Sequence, residues 1–177
     1  ILLVGALVAA LLFPTAIQAN SKKDIIETST SRLQITLIGH GSLMFEHKGK
    51  IIHVDPWSKV GDYAKLPEAD LILITHHHQD HLDLSALKKV MADETAVVMT
   101  PKCFAKAGDH IKNQIIMTNG QVKTVAGLKI EAVPAYNLVH MRSAGQPYHP
   151  KGEGNGYVIT LGDKRVYVAG DTENTPE

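Results

Sequence analysis

Leu71-Ile72-Leu73-Ile74-Thr75-His76-His77-His78-Gln79-Asp80-His81-Leu82-Asp83 is the stretch whose reading decides the fold. Its first four residues are an apolar run bounded by polar ones, the pattern of a buried strand. The next nine, Thr75 to Asp83, hold four histidines and two carboxylates. The cluster therefore sits where a core strand ends and the chain turns outward. Within it, His76, His78, Asp80 and His81 fit the pattern H-x-H-x-D-H. Two histidines two apart in a tight loop can converge on one cation, while the Asp-His pair after them faces a neighbouring one. Imidazole and carboxylate together suit zinc, and also iron or manganese. The bland alternative is a solvated histidine-rich tract. The strand before the cluster and its spacing argue for metal instead.

Composition sets the bounds around this centre. A chain of 177 residues is long enough for one domain with a sizeable core. Lysine plus arginine and aspartate plus glutamate each number 18, so the formal net charge is zero. That removes the broad electrostatic case for nucleic acid or an anionic membrane. A single cysteine, Cys103, excludes an internal disulfide, and its simplest role is a small buried hydrophobe in a short helix.

Three further pieces join the histidine motif: Ile38-Gly39-His40-Gly41-Ser42, Asp55-Pro56 and Ala169-Gly170-Asp171-Thr172. Together, in this order, they resemble the metallo-β-lactamase fold hydrolases. The resemblance is to the branch of ascorbate-6-phosphate lactonase-like proteins and N-acylphosphatidylethanolamine phospholipase D. It runs from about Leu33 to the end of the chain. It implies an α/β domain built as a four-layer αββα sandwich, which the alternation of strands and helices also supports. It further implies a late histidine ligand, and Glu177 ends the sequence before one occurs, so the domain is expected to be incomplete at its C-terminal end.

The resemblance also implies a site. His76, His78, Asp80 and His81 are expected ligands, with Asp171, at the end of the strand Val166 to Ala169, lying between two cations. The remaining histidine is expected from the long loop Pro134 to Asn155, which offers His140 and His149. Many relatives place a histidine where this chain has Tyr136-Asn137. His149, just before the Gly156-Tyr157 strand, is preferred over His140. His40 is expected to border the metal pocket, Asp55 to orient a ligand histidine or cap the following loop, and Thr172 to steady the loop beside Asp171.

Elsewhere the chain reads as follows. Ile1 to Phe13 is apolar and leads to Pro14-Thr15-Ala16-Ile17-Gln18-Ala19, the pattern of a secretory signal without its charged start, with cleavage after Ala19. The first residue is Ile rather than Met, so a fragment is the expectation. At about 20 residues needed to span a bilayer, this run is a little short for an anchor. A periplasmic or secreted protein with no stable membrane anchor is the expectation. Residues 20–32 read as a linker and 33–177 as the domain. Asn119-Gly120 signals a hairpin between Ile115–Thr118 and Gln121–Val125. Leu84, Leu87, Val90 and Met91 suit a helix with Asp83 at its N-terminus, and Pro101 to Ala107 a short helix ending at Gly108.

The expected chemistry is hydrolysis of an ester, lactone or phosphodiester in a small molecule, by water activated on two divalent cations, zinc first and manganese or iron as alternatives. Asp80 can serve as base for that water. No Gly-x-Ser-x-Gly elbow or phosphate loop competes with this. A β-lactamase or a nuclease of the same fold shares the histidine motif, but zero charge weighs against the nuclease. The rival of another class is a non-catalytic metal-binding or scaffold protein.

Overall fold

The computed structural model describes residues 22–177. The signal-sequence reading over Ile1 to Ala19 lies outside the described residues.

The first half of the domain is one mixed sheet. Its strands are β1 (Lys22–Glu27), β2 (Arg32–Gly39), β3 (Ser42–His47), β4 (Lys50–Val54), β5 (Ala69–Leu73), β6 (Met91–Met99) and β7 (Gln114–Ile116), neighbouring one another in chain order. Pairing is antiparallel from β1 to β4 and parallel from β4 to β7. Parallel neighbours need crossovers. Helices α1 (Leu84–Val90) and α2 (Pro101–Ala107) supply them between β5, β6 and β7.

The second sheet is antiparallel and contains β8 (Val122–Val125) and β9 (Leu128–Ala135). A small pair, β10 (Met141–Ser143) and β11 (Gln146–Pro147), stands apart. Strands β12 (Gly154–Leu161) and β13 (Lys164–Val168) complete the second sheet in the order β13-β12-β9-β8.

The apolar run at β5 now has its physical reason. Leu71 and Leu73 point into the core between the two sheets, against Ile130, Tyr157 and Ile159. Ile72 and Ile74 point the other way, against Leu87, Val90 and Cys103 under the helices. All four are 0% exposed, and a strand covered on both faces reads as a continuous apolar run rather than an alternation. Helices on one face and a second sheet on the other are consistent with the αββα sandwich.

Several local expectations hold. Asp83 caps α1 by accepting from the backbone N–H groups of Ser85 and Ala86, and Thr100 caps α2, whose first residue is Pro101. Three differ. The stretch read as a linker contains β1, paired in continuous register from Lys22–Leu37 to Glu27–Arg32. All six of its residues are exposed, so this edge strand is held by backbone hydrogen bonds and leaves no hydrophobic pattern to read.

The Asn119-Gly120 turn exists, with Gly120 at a φ of +87°, yet it carries the chain from β7 in one sheet to β8 in the other instead of closing a hairpin. Asn119 Nδ2 donates to Gly154 O at 2.9 Å and to Asn155 Oδ1 at 2.7 Å, so its side chain ties the second sheet together. The hairpin lies one strand later, at Ala126-Gly127, where φ values of +50° and +78° meet the two left-handed positions a tight two-residue turn needs. Finally, the long loop is shorter than expected. β9 runs to Ala135, β12 starts at Gly154, and β10–β11 fold part of what lies between.

Candidate metal site

Four chain segments meet at one edge of the sandwich: the turn after β2, the loop after β5, the segment before β12 and the end of β13. Close backbone approach holds them. Asn155 N donates to Thr75 O at 2.9 Å, and Tyr157 Oη donates to Ile74 O at 2.9 Å, so β12 is fastened to the end of β5. A Cβ on Gly154 would stand 3.2 Å from Ala135 O and 3.6 Å from His76 Cβ, so a small residue there lets the strand pass the histidine loop.

The first group of ligand atoms is His76, His78 and His149, all within 4.8 Å of one another. His76 Nε2 and His149 Nε2 each lie 3.1 Å from His78 Nδ1. The far nitrogens are already committed. His76 Nδ1 lies 3.0 Å from Thr75 Oγ1, which itself donates to Asp55 Oδ2 at 2.6 Å. His149 Nδ1 donates to Asn137 Oδ1 at 2.7 Å. Those bonds put the proton on Nδ1 and leave an Nε2 lone pair facing inward on both rings. Three inward nitrogens cannot satisfy one another with the single proton left on His78. A shared cation satisfies all three at once.

The second group is His40, Asp80 and His81. His81 Nδ1 donates to Asp55 Oδ2 at 2.8 Å, which turns Nε2 toward the site. That Nε2 is buried and makes no hydrogen bond of good geometry, although Asp171 Oδ2 stands 3.3 Å away. An orphaned, inward-facing imidazole nitrogen is what an absent cation leaves. His40 Nε2 lies 2.9 Å from Asp80 Oδ2, and its ring leans on Trp57 with centroids 5.2 Å apart. The chain reaches this position through a left-handed His40, φ +52°, between its flanking glycines.

Asp171 stands between the two groups. Its Oδ2 is 3.9 Å from His76 Nε2, 3.3 Å from His81 Nε2 and 3.7 Å from His149 Nε2. Thr172 Oγ1 accepts from Tyr136 N at 3.1 Å, which fixes the loop beside Asp171 to the end of β9. His140 is elsewhere: its Nδ1 donates to Glu173 Oε1 at 2.5 Å, and its side chain is 77% exposed. Of the two loop histidines, only His149 joins the cluster.

Electrostatics agree with this division. Burial lowers the pKa of His76, His78 and His149, keeping these rings neutral and their lone pairs free. Burial opposes a charge on His81 too. Its contacts with Asp171 and Asp55 outweigh burial and lift it to about 10.

Sequence reasoning missed Thr75 and Asn137 as holders of His76 and His149. Thr75 had a signal, since it precedes the first histidine directly. Asn137 had none beyond its place where relatives carry a histidine.

Residues 34–177 match the Beta-lactamase superfamily domain. Among curated relatives, a UPF0173 metal-dependent hydrolase of Nanoarchaeum equitans is 30% identical over 140 residues, covering 79% of this chain and 60% of its own length. The chain thus spans about three fifths of the length of such relatives. Among solved structures, a protein of Parabacteroides distasonis described as a metal-dependent hydrolase superposes with a TM-score of 0.81 at 42% identity, over 89% of this chain and 69% of that one. A metallo hydrolase of Ignicoccus hospitalis superposes with a TM-score of 0.63 at 25% identity, over 82% of this chain and 63% of the other.

Proposed function

Because this chain belongs to the beta-lactamase superfamily, we propose that it is a metal-dependent hydrolase of an ester, lactone or phosphodiester bond in a small molecule. The observation that carries the reading is the set of inward nitrogens on His76, His78 and His149, with His76 Nε2 and His149 Nε2 each 3.1 Å from His78 Nδ1 and the outer nitrogens of His76 and His149 tied down. In this reading those three hold one cation. Asp80 and His81, with His40 beside them, hold a second, and Asp171 lies between. Zinc is the proposed metal, since neutral imidazoles and carboxylates suit it; manganese or iron are the alternatives.

Bound divalent metal would supply water activation near neutral pH and polarisation of the scissile oxygen. The chain's own residues do the rest. Asp55, Thr75 and Asn137 fix the ring orientations. When only the first cation is bound, Asp80 Oδ2, partly exposed and 2.9 Å from His40 Nε2, is free to accept the proton that water gives up. The hydroxyl adds to the acyl or phosphoryl centre, the bond to the leaving oxygen breaks, and that oxygen takes up the proton. No serine or cysteine nucleophile is needed. Export remains part of the proposal, resting on Ile1 to Ala19. Among the described residues no helix is long and apolar enough to cross a membrane.

Elemental analysis of protein purified without chelator tests the reading. About two metals per chain are expected, with ester or phosphodiester turnover that a chelator abolishes. His78→Ala is expected to lose both metal and turnover. Turnover retained by metal-free His78→Ala would overturn the proposal.

A further inference from the structure

A cleft of about 650 Å³ opens beside His78, between α2 and the β10–β11 pair. Three cations line it, Lys102, Lys106 and Arg142, against one carboxylate, Glu153. In a chain whose net charge is zero, this is a local concentration of positive charge at one rim of the site. The single carboxylate is already engaged, with Glu153 Oε1 2.5 Å from Lys102 Nζ. The other two cations have neutral partners. Lys106 Nζ donates to His77 O at 2.7 Å, which ties its ammonium to the backbone of the histidine loop. The Arg142 guanidinium lies over the Tyr148 ring, 5.3 Å from its centroid. A carbonyl and a ring position these charges without cancelling them.

We propose that this cleft binds an anionic group, a carboxylate or phosphate, carried by the substrate next to the bond that is cut. The inference rests on the hydrolase reading and narrows it to anionic substrates. Arg142 offers a planar fork suited to either anion and Lys106 a point charge, and the two come from different segments that converge on one opening. His78 lines the same cleft, so an anion seated there places the rest of a small molecule over the histidine cluster.

The test compares para-acetoxybenzoate with its neutral methyl ester on the zinc-loaded protein. KM is expected to be about tenfold lower for the anion, and Arg142→Gln is expected to remove most of that difference, with Lys106→Gln removing part. A second readout needs no metal. Phenylphosphonate titrated calorimetrically into chelator-treated protein is expected to bind, with Kd rising about tenfold in Arg142→Gln. Far-ultraviolet circular dichroism of each variant guards against misfolding. Equal KM values for the two esters, with phenylphosphonate binding indifferent to Arg142→Gln, overturn the cleft assignment while leaving a working hydrolase. Arg142-dependent phenylphosphonate binding without any ester turnover overturns the hydrolase reading and keeps the cleft.

Discussion

Asp55 Oδ2 lies 2.8 Å from His81 Nδ1, with both side chains sealed from solvent. The same carboxylate accepts from Thr75 N at 2.8 Å and Thr75 Oγ1 at 2.6 Å, so one buried group sets the directions of His81 and, through Thr75, of His76. Asp55→Asn keeps the shape but removes a full acceptor. Metal affinity is expected to fall by about 10–100-fold, the range for partners that orient metal-bound histidines. Competition against a chromogenic chelator measures it, and an unchanged affinity would show that Asp55 serves folding alone.

His149 and His140 make a matched pair for testing the site's boundary. His149 faces His78 at 3.1 Å, while His140 is turned out onto Glu173. His149→Ala is expected to lower metal content by about one per chain, and His140→Ala to leave it unchanged. Asn137→Ala, which frees His149 Nδ1, is expected to fall between them. Elemental analysis of the three variants ranks them, and equal loss in His140→Ala would move the third ligand.

The site was legible in the sequence where function crowds chemistry into consecutive residues. His76, His78, Asp80 and His81 sit within one loop, and the strand before them announces itself because both its faces are covered. Asp171 was legible only by its place after another strand. What stayed hidden depends on three-dimensional closeness. Asn137 and His149 are joined across a loop that carries its own β10–β11 pair. Strand β1 buries nothing, so no periodicity marks it. The Asn119-Gly120 turn follows local turn chemistry, but its side chain bonds Gly154 and Asn155, 35 and 36 residues away, and those bonds send the chain into the second sheet.

Asp83 ties the loop after β4 to the start of α1. Its carboxylate accepts from Ser85 N at 2.8 Å and from Ser58 N at 2.9 Å. Asp83→Ala is expected to cost about 1 kcal/mol, the usual loss for a helix cap. Urea denaturation measures it. Asp83→Asn, which keeps an acceptor oxygen, is expected to recover part of the loss.

Cys103 lies at 0% exposure on the buried face of α2, and burial pushes its thiol up to about 11 from an ordinary 9.0. The folded pKa is the higher one, so the thiol's contribution is intact below about pH 9 and is lost as pH rises through about 11. The stability of wild type relative to Cys103→Ala is therefore expected to decline across that window, which pairs of urea titrations at stepped pH would show. At pH 8 the native thiol is expected to resist Ellman's reagent until the protein unfolds. Prompt labelling of native protein would contradict the buried placement.

Gly170 determines where Asp171 points. Its φ is +73°, and the next residue, Asp171, is also left-handed at +55°. A Cβ on Gly170 would come within 2.5 Å of Asn155 O and 3.0 Å of Thr75 Cβ. The first is a backbone oxygen of β12 and the second belongs to the histidine loop, so neither yields by a rotamer change. Gly170→Ala is expected to destabilise the protein by about 2 kcal/mol or more, combining the left-handed conformation with the clash. The displaced strand end would carry Asp171 away from His76, His81 and His149. Metal content is therefore expected to fall even at temperatures where the variant stays folded. Gly162 provides the control, because its φ is +64° in a turn remote from the site. Gly162→Ala is expected to lower stability while metal content stays at the wild-type value. If Gly170→Ala lost stability but bound metal fully, Asp171 would not be held by this turn, and its place between the two histidine groups would need another cause.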